Sequence, residues 1–564
     1  MSVDASERKG EARERLRRRF ATVDGSALRD LTEAGMTWLR TNQQVVNSLN
    51  VFPVPDGDTG TNMVLTMQSA WTEIEASHER SIGPVAHAIA QGALMGARGN
   101  SGVILSQLWR GVARALDNFP TMDAALVVRA LEEGRDTAYK GVVRPVEGTI
   151  LTVSKDVARA ARQALDSGPR SCLDILELIV AEAGASVERT PDLLPVLRDA
   201  GVVDSGGKGL FFLLEGMLRW IYGQPLDQPL VAVTPLSQLH LEDAVEAIEP
   251  GQDWEVVVDF RPAKPLDVQA FYGRLETMGT SIQVGEGDGM YRMHIHVPDQ
   301  TEYQPIEFVK TLGAITNIHL ENLQQQIEDR TAKENIGSIR PASVEPGQIA
   351  AVAVAPALGI ARVFASLGVA AIVEGGQTMN PSTEEVLRAV ESLPTDKVVI
   401  LPNNKNIIMT SRQAAALTVK KVAVIPSISV PQGISAMLAL MPEGELDNVV
   451  EAMTKALATV RTGELTVATR SVEINGVAVK EGQVIGLLDG KLVVSGDDLT
   501  ACTQDLLARA HCKQSELVTL YYGADLTSAA ANQLADKLRE ACPGLEIELI
   551  EGGQPHYQLI LSIE

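Results

Sequence analysis

The chain has 564 residues and a formal net charge of −23 at pH 7, and 45% of its residues are hydrophobic. This length corresponds to several domains, and the hydrophobic content excludes a wholly disordered chain. The negative charge repels phosphate backbones, so we expect no nucleic-acid partner. No apolar run is long enough to span a membrane, and the four cysteines include no Cys-x-x-Cys pair. We therefore expect a cytoplasmic protein without stable membrane insertion.

The amino-terminal part divides into a basic extension, residues 1–24, and a long helical stretch, residues 25–223. We expect the extension, which carries five arginines between residues 13 and 19, to be a solvated helix or a disordered arm. In the helical stretch, apolar residues such as Leu28, Leu31 and Met36 recur at helical spacing. Glycine-rich polar loops separate these segments. The pattern predicts an all-α bundle with loops at its rim.

Three further segments follow. Residues 224–250 are rich in proline and are predicted to be a linker, and residues 251–336 alternate strands with helices as a small α+β domain. In residues 337–564, buried apolar strands alternate with helices, which predicts an α/β domain with a parallel sheet. Asn475-Gly476 and Asp489-Gly490 predict hairpins there. The Gly285–Gly289 run is also interpreted as a hairpin loop.

The most distinctive segment is NVFPVPDGDTGTNM, residues 50–63. Prolines and glycines make its loop tight, and Asp56 and Asp58 lie two residues apart within it. Two neighbouring carboxylates repel each other unless a cation lies between them, and hard oxygen ligands suit Mg²⁺. An Asp-Gly turn without function is the alternative.

Two other glycine-rich loops, residues 96–102 and 203–209, each open a helix. The backbone N–H groups at a helix start can bind an anion, and glycine lets a phosphate approach closely. Lys208 is not a P-loop lysine, because the required glycine and Ser/Thr neighbours are missing. One acidic loop and two anion-binding loops together predict a metal–nucleotide site.

The sequence resembles the dihydroxyacetone-kinase-type nucleotide domain and, more closely, the family of large subunits of bacterial fatty acid kinase. The resemblance covers nearly the whole chain after residue 22. It is carried by residues 50–63 and by GARGNSGVILSQ, PVEGTILTV, VVDSGGKGL, EGGQTMNPSTEE (374–385), LPNNKNIIM (401–409) and the turn at 431–434. It implies a helical barrel that holds ATP with two Mg²⁺ at its rim, a small middle domain and a carboxy-terminal domain similar to DegV-type fatty-acid-binding proteins.

The resemblance assigns Asp56 and Asp58 as the catalytic metal carboxylates. The sugar-kinase branch of the family has a third aspartate upstream of this pair. In this sequence Asn50 is the residue nearest to that position, at a different spacing. The residues that the resemblance implies to meet the nucleotide lie in the three loops described above and, for Thr149, in the segment PVEGTILTV (145–153). They are Thr59, Gly60, Thr61, Asn62, Gly99, Asn100, Ser101, Gly102, Thr149, Asp204, Ser205 and Gly206.

His294 and His296 lie two residues apart in a predicted strand, so their side chains face the same side. The resemblance implies a zinc ion here, since the family binds one through a similar His-x-His pair and a cysteine, and in this chain Glu255 takes the place of the cysteine. Zn²⁺ binding and a purely structural pair of histidines both remain open.

The resemblance implies an ATP-dependent kinase subunit that phosphorylates the carboxylate of a fatty acid presented by a separate DegV-type carrier, giving an acyl phosphate for phospholipid synthesis. A dihydroxyacetone-type kinase and a non-enzymatic nucleotide-binding regulator are the alternatives. We expect a homodimer. We also expect the carboxy-terminal domain to dock the carrier or to mediate dimerisation rather than to hold lipid itself.

Overall fold

The computed structural model describes residues 13–50, 57–142, 144–168, 170–227, 234–235, 254–264, 266–275, 277–287, 290–298, 301–322, 342–377, 379–468, 472–474, 477–510 and 515–564. Within these residues a helical region, a small α+β region and an α/β region follow one another. The predicted fold class, multidomain α plus α/β, is confirmed.

The helical region contains ten helices in the described chain. They are α1 (Gly25–Thr41), α2 (Gln43–Leu49), α3 (Thr59–Thr72), α4 (Ile82–Met95), α5 (Gly99–Ala115), α6 (Ala124–Gly141), α7 (Ile150–Asp166), α8 (Cys172–Leu193), α9 (Pro195–Ala200) and α10 (Ser205–Ile221). Their apolar faces form two clusters, a larger one in which Trp38, Met63 and Ile89 are fully buried and a smaller one that includes Val128 and Val153. An apolar cavity of about 180 Å³ lies among these helices.

Two short strands place the starts of α1 and α6 side by side. Strands β1 (Val23–Asp24) and β2 (Thr121–Met122) pair antiparallel. Each is followed by a helix that an aspartate caps. Asp24 accepts a hydrogen bond from the N–H of Ala27 at 2.9 Å, and Asp123 accepts one from Leu126 at 2.9 Å. These bonds satisfy N–H groups that have no partner within the helix.

The basic extension is partly ordered against the helical region. Residues 13–19 are helical, and Arg17 forms an ion pair of 2.6 Å with Asp174 at the start of α8. Arg13 pairs with Glu177, one turn further along, and Phe20 is buried in the core. The expectation of a solvated helix is therefore confirmed for residues 13–19, which are helical and mostly exposed, while ion pairs to α8 and the buried Phe20 hold them on the helical region. Residues 1–12 lie outside the described chain.

The middle region is a single sheet with two helices. In chain order the elements are β4 (Trp254–Pro262), α11 (Val268–Leu275), β5 (Thr280–Gly287), β6 (Met290–Val297), α12 (Gln304–Leu312) and β7 (Gly313–Asn322), and the short strand β3 (Thr234–Pro235) adds to one edge. The strand order is β3-β5-β6-β4-β7, a ferredoxin-like arrangement of the four longer strands. Strands β5 and β6 pair antiparallel with Gly287 opposite Met290, so the predicted hairpin is confirmed.

The α/β region begins with a four-stranded parallel sheet. Its strands are β8 (Ile349–Ala355), β9 (Ala371–Glu374), β10 (Lys397–Leu401) and β11 (Lys421–Val424), in the order β11-β10-β8-β9. Every residue of β8 is buried, as expected for a strand covered on both faces. The helices that accompany the sheet are α13 (Leu358–Ser366), α14 (Thr383–Glu391), α15 (Ile408–Leu417), α16 (Val430–Leu438) and α17 (Leu446–Ala456). The predicted parallel sheet is confirmed.

A second, mixed sheet completes this region. Its strands and the two helices that accompany them are β12 (Arg461–Val467), β15 (Val484–Leu488), β16 (Lys491–Gly496), α18 (Leu499–Arg509), β17 (Leu517–Tyr522), α19 (Ser528–Ala541), β18 (Glu546–Glu551) and β19 (Tyr557–Ile563). The strand order is β16-β15-β12-β19-β17-β18. A separate hairpin, β13 (Val472–Ile474) and β14 (Val477–Val479), lies beside this sheet. Asp489 and Gly490 both have positive φ between β15 and β16, so this predicted hairpin turn is also confirmed.

Candidate functional site

Three of the predicted loops meet where α3, α5 and α10 begin. The hydroxyl of Ser205, the first residue of α10, donates to Oγ1 of Thr59, the first residue of α3, at 3.3 Å. Gly99, the first residue of α5, has a φ of +57°, and a Cβ atom there would lie 2.7 Å from Nδ2 of Asn62. Glycine is therefore required at position 99 both by the backbone conformation and by the close approach of α3.

Asp58 lies immediately before α3, and its side chain is 5% exposed. Its carboxylate makes no capping hydrogen bond to its own helix. Instead it accepts hydrogen bonds from the amide of Asn50, at 3.5 Å, and from the amide of Asn380. Asn50, the predicted upstream ligand, thus lies beside Asp58, whereas Asp56 lies outside the described residues. A carboxylate that does not cap its own helix and lies among amide groups is a suitable ligand for a hard cation.

Asn47, to which the sequence analysis gave no role, caps α3. Its Oδ1 accepts hydrogen bonds from the backbone N–H groups of Gly60 at 2.8 Å and Thr61 at 3.2 Å. The hydroxyl of Thr61 in turn accepts bonds from Nδ2 of Asn47, at 3.1 Å, and from Gln43. Gly60 and Thr61 are among the residues predicted to meet the nucleotide. In this arrangement Asn47 of α2 already satisfies their backbone N–H groups, and their part in nucleotide binding stays a prediction.

The start of α5 differs, because the residue before it provides no side-chain cap. Arg98 precedes the helix in extended conformation and makes no capping hydrogen bond. The first N–H groups of a helix have no carbonyl partner within that helix, so those of Asn100 and Ser101 can point toward a bound anion. Gly102 packs closely on α3, since a Cβ atom there would lie 2.4 Å from Oγ1 of Thr66. Of the two predicted anion-binding loops, this is the one whose N-cap residue leaves the helix start free of a side-chain cap, and its role in phosphate binding stays a prediction.

The start of α10 carries its own anion. The carboxylate of Asp204 accepts a hydrogen bond from the N–H of Gly207 at 2.6 Å and another from the backbone of Ile150. Desolvation raises the pKa of Asp204 to about 6, while these two N–H groups oppose the rise. Asp204 is thus a helix cap that also ties α10 to the start of α7, and its part in nucleotide binding stays a prediction, as does that of Gly206.

Thr149 lies one residue before α7 and acts as its cap. Its Oγ1 accepts a bond from the N–H of Leu151 at 3.3 Å and donates to the carbonyl of Val146 at 2.8 Å. The link from this loop to the others runs through the neighbouring Ile150 and Asp204. The structure therefore brings the fourth loop to the rim, and a direct contact of Thr149 with nucleotide stays a prediction.

The α/β region also reaches this rim, which the sequence analysis did not predict. Arg98 pairs with Glu385 at 3.1 Å, and the backbone N–H of Thr383 donates to the carbonyl of Ala97 at 3.2 Å. The amide of Asn100 donates to Oδ1 of Asn406 at 3.2 Å. The segments 374–385 and 401–409 carry motifs of the resemblance, but nothing in the sequence indicates that they lie against the loops that hold Asp58 and Gly99.

The middle-region histidines lie at the centre of the β4–β7 sheet. His294 and His296 are both 0% exposed, and their rings are 4.9 Å apart. The backbone of His296 is paired with that of Glu255 on β4, so the predicted third ligand is at the neighbouring register position. Within the parts of the chain that the structure describes, no three His, Cys, Asp or Glu side chains form a group that could hold a metal ion. Zn²⁺ binding here stays a prediction.

A search of the described helices found none that is both long and apolar enough to cross a bilayer.

Comparisons with known proteins agree with the order of the three regions. Family models match at residues 53–219 (DAK2 domain), 249–330 (middle domain of FakA-like fatty acid kinases) and 350–564 (C-terminal domain of FakA-like fatty acid kinases). An uncharacterised protein of Staphylococcus haemolyticus is 37% identical over 554 residues, which cover 97% of this chain and 100% of that protein. A protein of Staphylococcus aureus strain USA300, also uncharacterised, is 36% identical over 554 residues, which again cover 97% of this chain and 100% of that protein.

Two solved structures are similar to parts of the chain, among others. A DegV family protein of Corynebacterium glutamicum is 17% identical, with a TM-score of 0.31, and covers 38% of this chain and 96% of that one. The fatty acid kinase B3 protein of Streptococcus pneumoniae, solved with linoleic acid, is 15% identical, with a TM-score of 0.26, and covers 33% and 76%. On the family models and the full-length relatives, the chain belongs to the FakA-like fatty acid kinase family.

Proposed function

We propose that this chain is an ATP- and Mg²⁺-dependent kinase subunit that transfers the γ-phosphoryl group of ATP to the carboxylate of a fatty acid held by a separate DegV-type carrier. The product is an acyl phosphate for phospholipid synthesis. One observation carries the proposal: the Asp58 carboxylate, which does not cap its own helix, lies where the uncapped start of α5 meets α3. A cation ligand and an anion-binding helix start are thereby neighbours.

The chemistry of the acceptor fits these residues. A fatty carboxylate is already ionised at pH 7, so its attack on phosphorus requires no general base. The obstacle is repulsion between an anionic nucleophile and an anionic phosphate, which bound Mg²⁺ reduces by supplying positive charge. Asp58, with Asp56 and Asn50 as the other predicted ligands, would hold the cation, and the N–H groups of Asn100 and Ser101 would orient phosphate oxygens.

The cavity in the α/β region supports a separate lipid carrier. It measures about 400 Å³, and Lys405, Arg461, Glu464 and Asp489 are among the residues that line it. Desolvation raises the pKa of Glu464 to about 7, so this carboxyl is partly protonated at pH 7, and the charges of the lining lie on Lys405 and on the ion pair of Arg461 with Asp489. Charged groups disfavour an acyl chain, because burying them against hydrocarbon removes their hydration. We therefore propose that this region docks the carrier or mediates a homodimer, and does not itself hold lipid.

The test is an assay of ATP turnover and of acyl phosphate, trapped as its hydroxamate, with a purified DegV-type protein loaded with fatty acid. We expect product only when chain, Mg²⁺ and loaded carrier are all present. Carrier without lipid is the control. Absence of acyl phosphate under these conditions, with the nucleotide bound, would refute the proposed acceptor.

The two alternatives predict different results in the same assay. A dihydroxyacetone-type kinase would turn over ATP with triose and without a carrier. A non-enzymatic regulator would bind the nucleotide and show no turnover with either acceptor.

A further inference from the structure

Asn380 of the α/β region contacts Asp58 in the acidic loop of the helical region. It is 322 residues away from Asp58 in the sequence, yet its Nδ2 donates a hydrogen bond to Oδ2 of Asp58. Its Cγ also lies 3.7 Å from the position that a Cβ atom of Gly99 would take. The amide group is therefore located between the acidic loop and the uncapped start of α5, where the proposed metal and phosphate would meet.

The side chain of Asn380 is 2% exposed, and its Oδ1 is buried without a hydrogen-bond partner among the described residues. A buried amide oxygen without a partner opposes folding, and such a group in a folded protein calls for an explanation, such as an ion that it binds. A half-turn of the amide about its χ2 bond exchanges the nitrogen and the oxygen. The oxygen then faces the Asp58 carboxylate and could share a cation with it.

The backbone around Asn380 is held in place by several contacts with the helical region. The carbonyl of Asn380 accepts a hydrogen bond from Arg98 at 2.9 Å, and Arg98 also pairs with Glu385. Ser382 and Glu385 form a capping box that starts α14, and Ser382 bridges to Arg98 through the backbone. The position of the amide beside Asp58 is thus held by contacts of its own carbonyl and of the residues that follow it.

We propose that Asn380 supplies its amide oxygen to the divalent cation held by Asp58, so that the α/β region completes the metal site of the helical region. The inference rests on the proposed function, because it requires a cation at Asp58. An amide oxygen is a hard ligand that adds no third negative charge to the acidic loop. Cation binding and the docking of the α/β region on the helical region are then linked, and each strengthens the other.

The experiment measures Mn²⁺ binding to the full chain by electron paramagnetic resonance in the presence of ADP. We expect Asn380→Ala to weaken Mn²⁺ binding about 10-fold. Asn380→Asp should keep wild-type affinity or exceed it, because a carboxylate oxygen replaces the amide oxygen. Glu385→Gln is the matched control: it weakens the same interface without changing any atom beside Asp58, so it measures the loss that comes from docking alone, which should be clearly smaller than that of Asn380→Ala.

A second measurement uses the Asn380→Asp variant alone. Without a metal ion, its carboxylate lies against that of Asp58, and the repulsion should lower the melting temperature below that of the wild type. Addition of Mg²⁺ and ADP should raise the melting temperature of this variant more than it raises that of the wild type. This test remains informative if Asn380→Ala fails to fold.

The remaining outcomes separate the inference from the function on which it rests. If Asp58→Asn abolishes Mn²⁺ binding while Asn380→Ala leaves it unchanged, the metal site stands and the role of Asn380 is wrong. If Asp58→Asn leaves binding unchanged, the metal site itself is wrong. Tighter Mn²⁺ binding or faster turnover in Asn380→Ala would instead mean that Asn380 inhibits the site. Equal losses of Mn²⁺ affinity in Asn380→Ala and Glu385→Gln would mean that Asn380 only helps to dock the two regions. Either of these last two results overturns the inference.

Discussion

The starts of α5 and α10 have similar sequences and different chemistry. Both are glycine-rich and both lie at the same rim, but α5 has no side-chain cap, whereas Asp204 caps α10 with a carboxylate. A phosphate at α10 would meet the charge of Asp204, whereas α5 has no carboxylate cap of its own, and the carboxylate that lies toward its start, that of Asp58, is the proposed cation ligand. A glycine-rich helix start therefore indicates an anion site only when the chain does not already place its own anion there.

The strongest test of this comparison removes the cation on which phosphate binding at either helix would depend. We expect Asp58→Asn to reduce phosphoryl transfer about 1000-fold or more, because the charge that holds the proposed Mg²⁺ is lost. Asparagine is used because Asp58 is almost fully buried and the amide keeps its volume. Steady-state kinetics with loaded carrier measures the effect, and a melting curve close to the wild type shows that the fold is intact. Near-normal turnover would refute the assignment of Asp58.

The second test compares one glycine from each helix start. Gly99→Ala should weaken ATP binding about 10-fold, since the residue has a positive φ and its Cβ atom would meet Asn62 at 2.7 Å. Gly206→Ala is the matched control, because the nearest atom to its Cβ would be 3.4 Å away, an ordinary contact. Calorimetric titration with Mg²⁺ and ATP should show a change of less than twofold for the control. The reverse order would indicate that α10, and not α5, holds the phosphates.

The third test concerns the charge of Asp204. Its pKa is about 6 in the folded chain, above the usual 3.8, so its contribution to stability is fully present below pH 4 and is lost as the pH rises through 6. In the Asp204→Asn variant the introduced amide stays neutral at every pH and can still cap α10. We expect this variant to melt about 2–4 °C higher than the wild type at pH 7.5 and no higher at pH 4.

The same variant tests the role of Asp204 in binding. If the residue is only a cap, the ATP affinity of Asp204→Asn at pH 7.5 should equal or exceed that of the wild type. A loss of 10-fold or more would restore Asp204 to the nucleotide-binding residues.

The smallest effect on transfer is expected far from both helix starts. His294→Ala should change the transfer rate less than twofold, yet lower the stability of the middle region by about 1–3 kcal/mol, because a fully buried side chain is removed. Local unfolding followed by hydrogen exchange measures the stability. If Zn²⁺ stabilises the wild-type middle region and not the variant, the predicted metal role of His294 is supported. A variant as stable as the wild type would mean that the buried side chain contributes little.

The fold was largely predictable because its signals are local. The apolar spacing of residues such as Leu28 and Leu31 predicts helices, and the apolar runs of β8 and β10 predict buried parallel strands, since each depends on residues a few positions apart. The long-range contacts of the basic extension were not predictable for the same reason. Its arginines pair with Asp174 and Glu177 on α8, about 160 residues away, and no local pattern contains that information.

For the candidate site, the sequence by itself determined the loops: the acidic turn at Asp58 and the glycines at 99, 102 and 206 follow from which residues permit tight turns and bind hard cations. Tertiary structure decided which of these loops remains available for a ligand. Capping by Asn47 and Asp204 satisfies two helix starts and leaves that of α5 open, and the contact of Asn380 with Asp58 brings a distant region to the rim. The physical reason is that propensity and chemistry belong to residue types, whereas the partner of each polar group depends on which segments fold against each other.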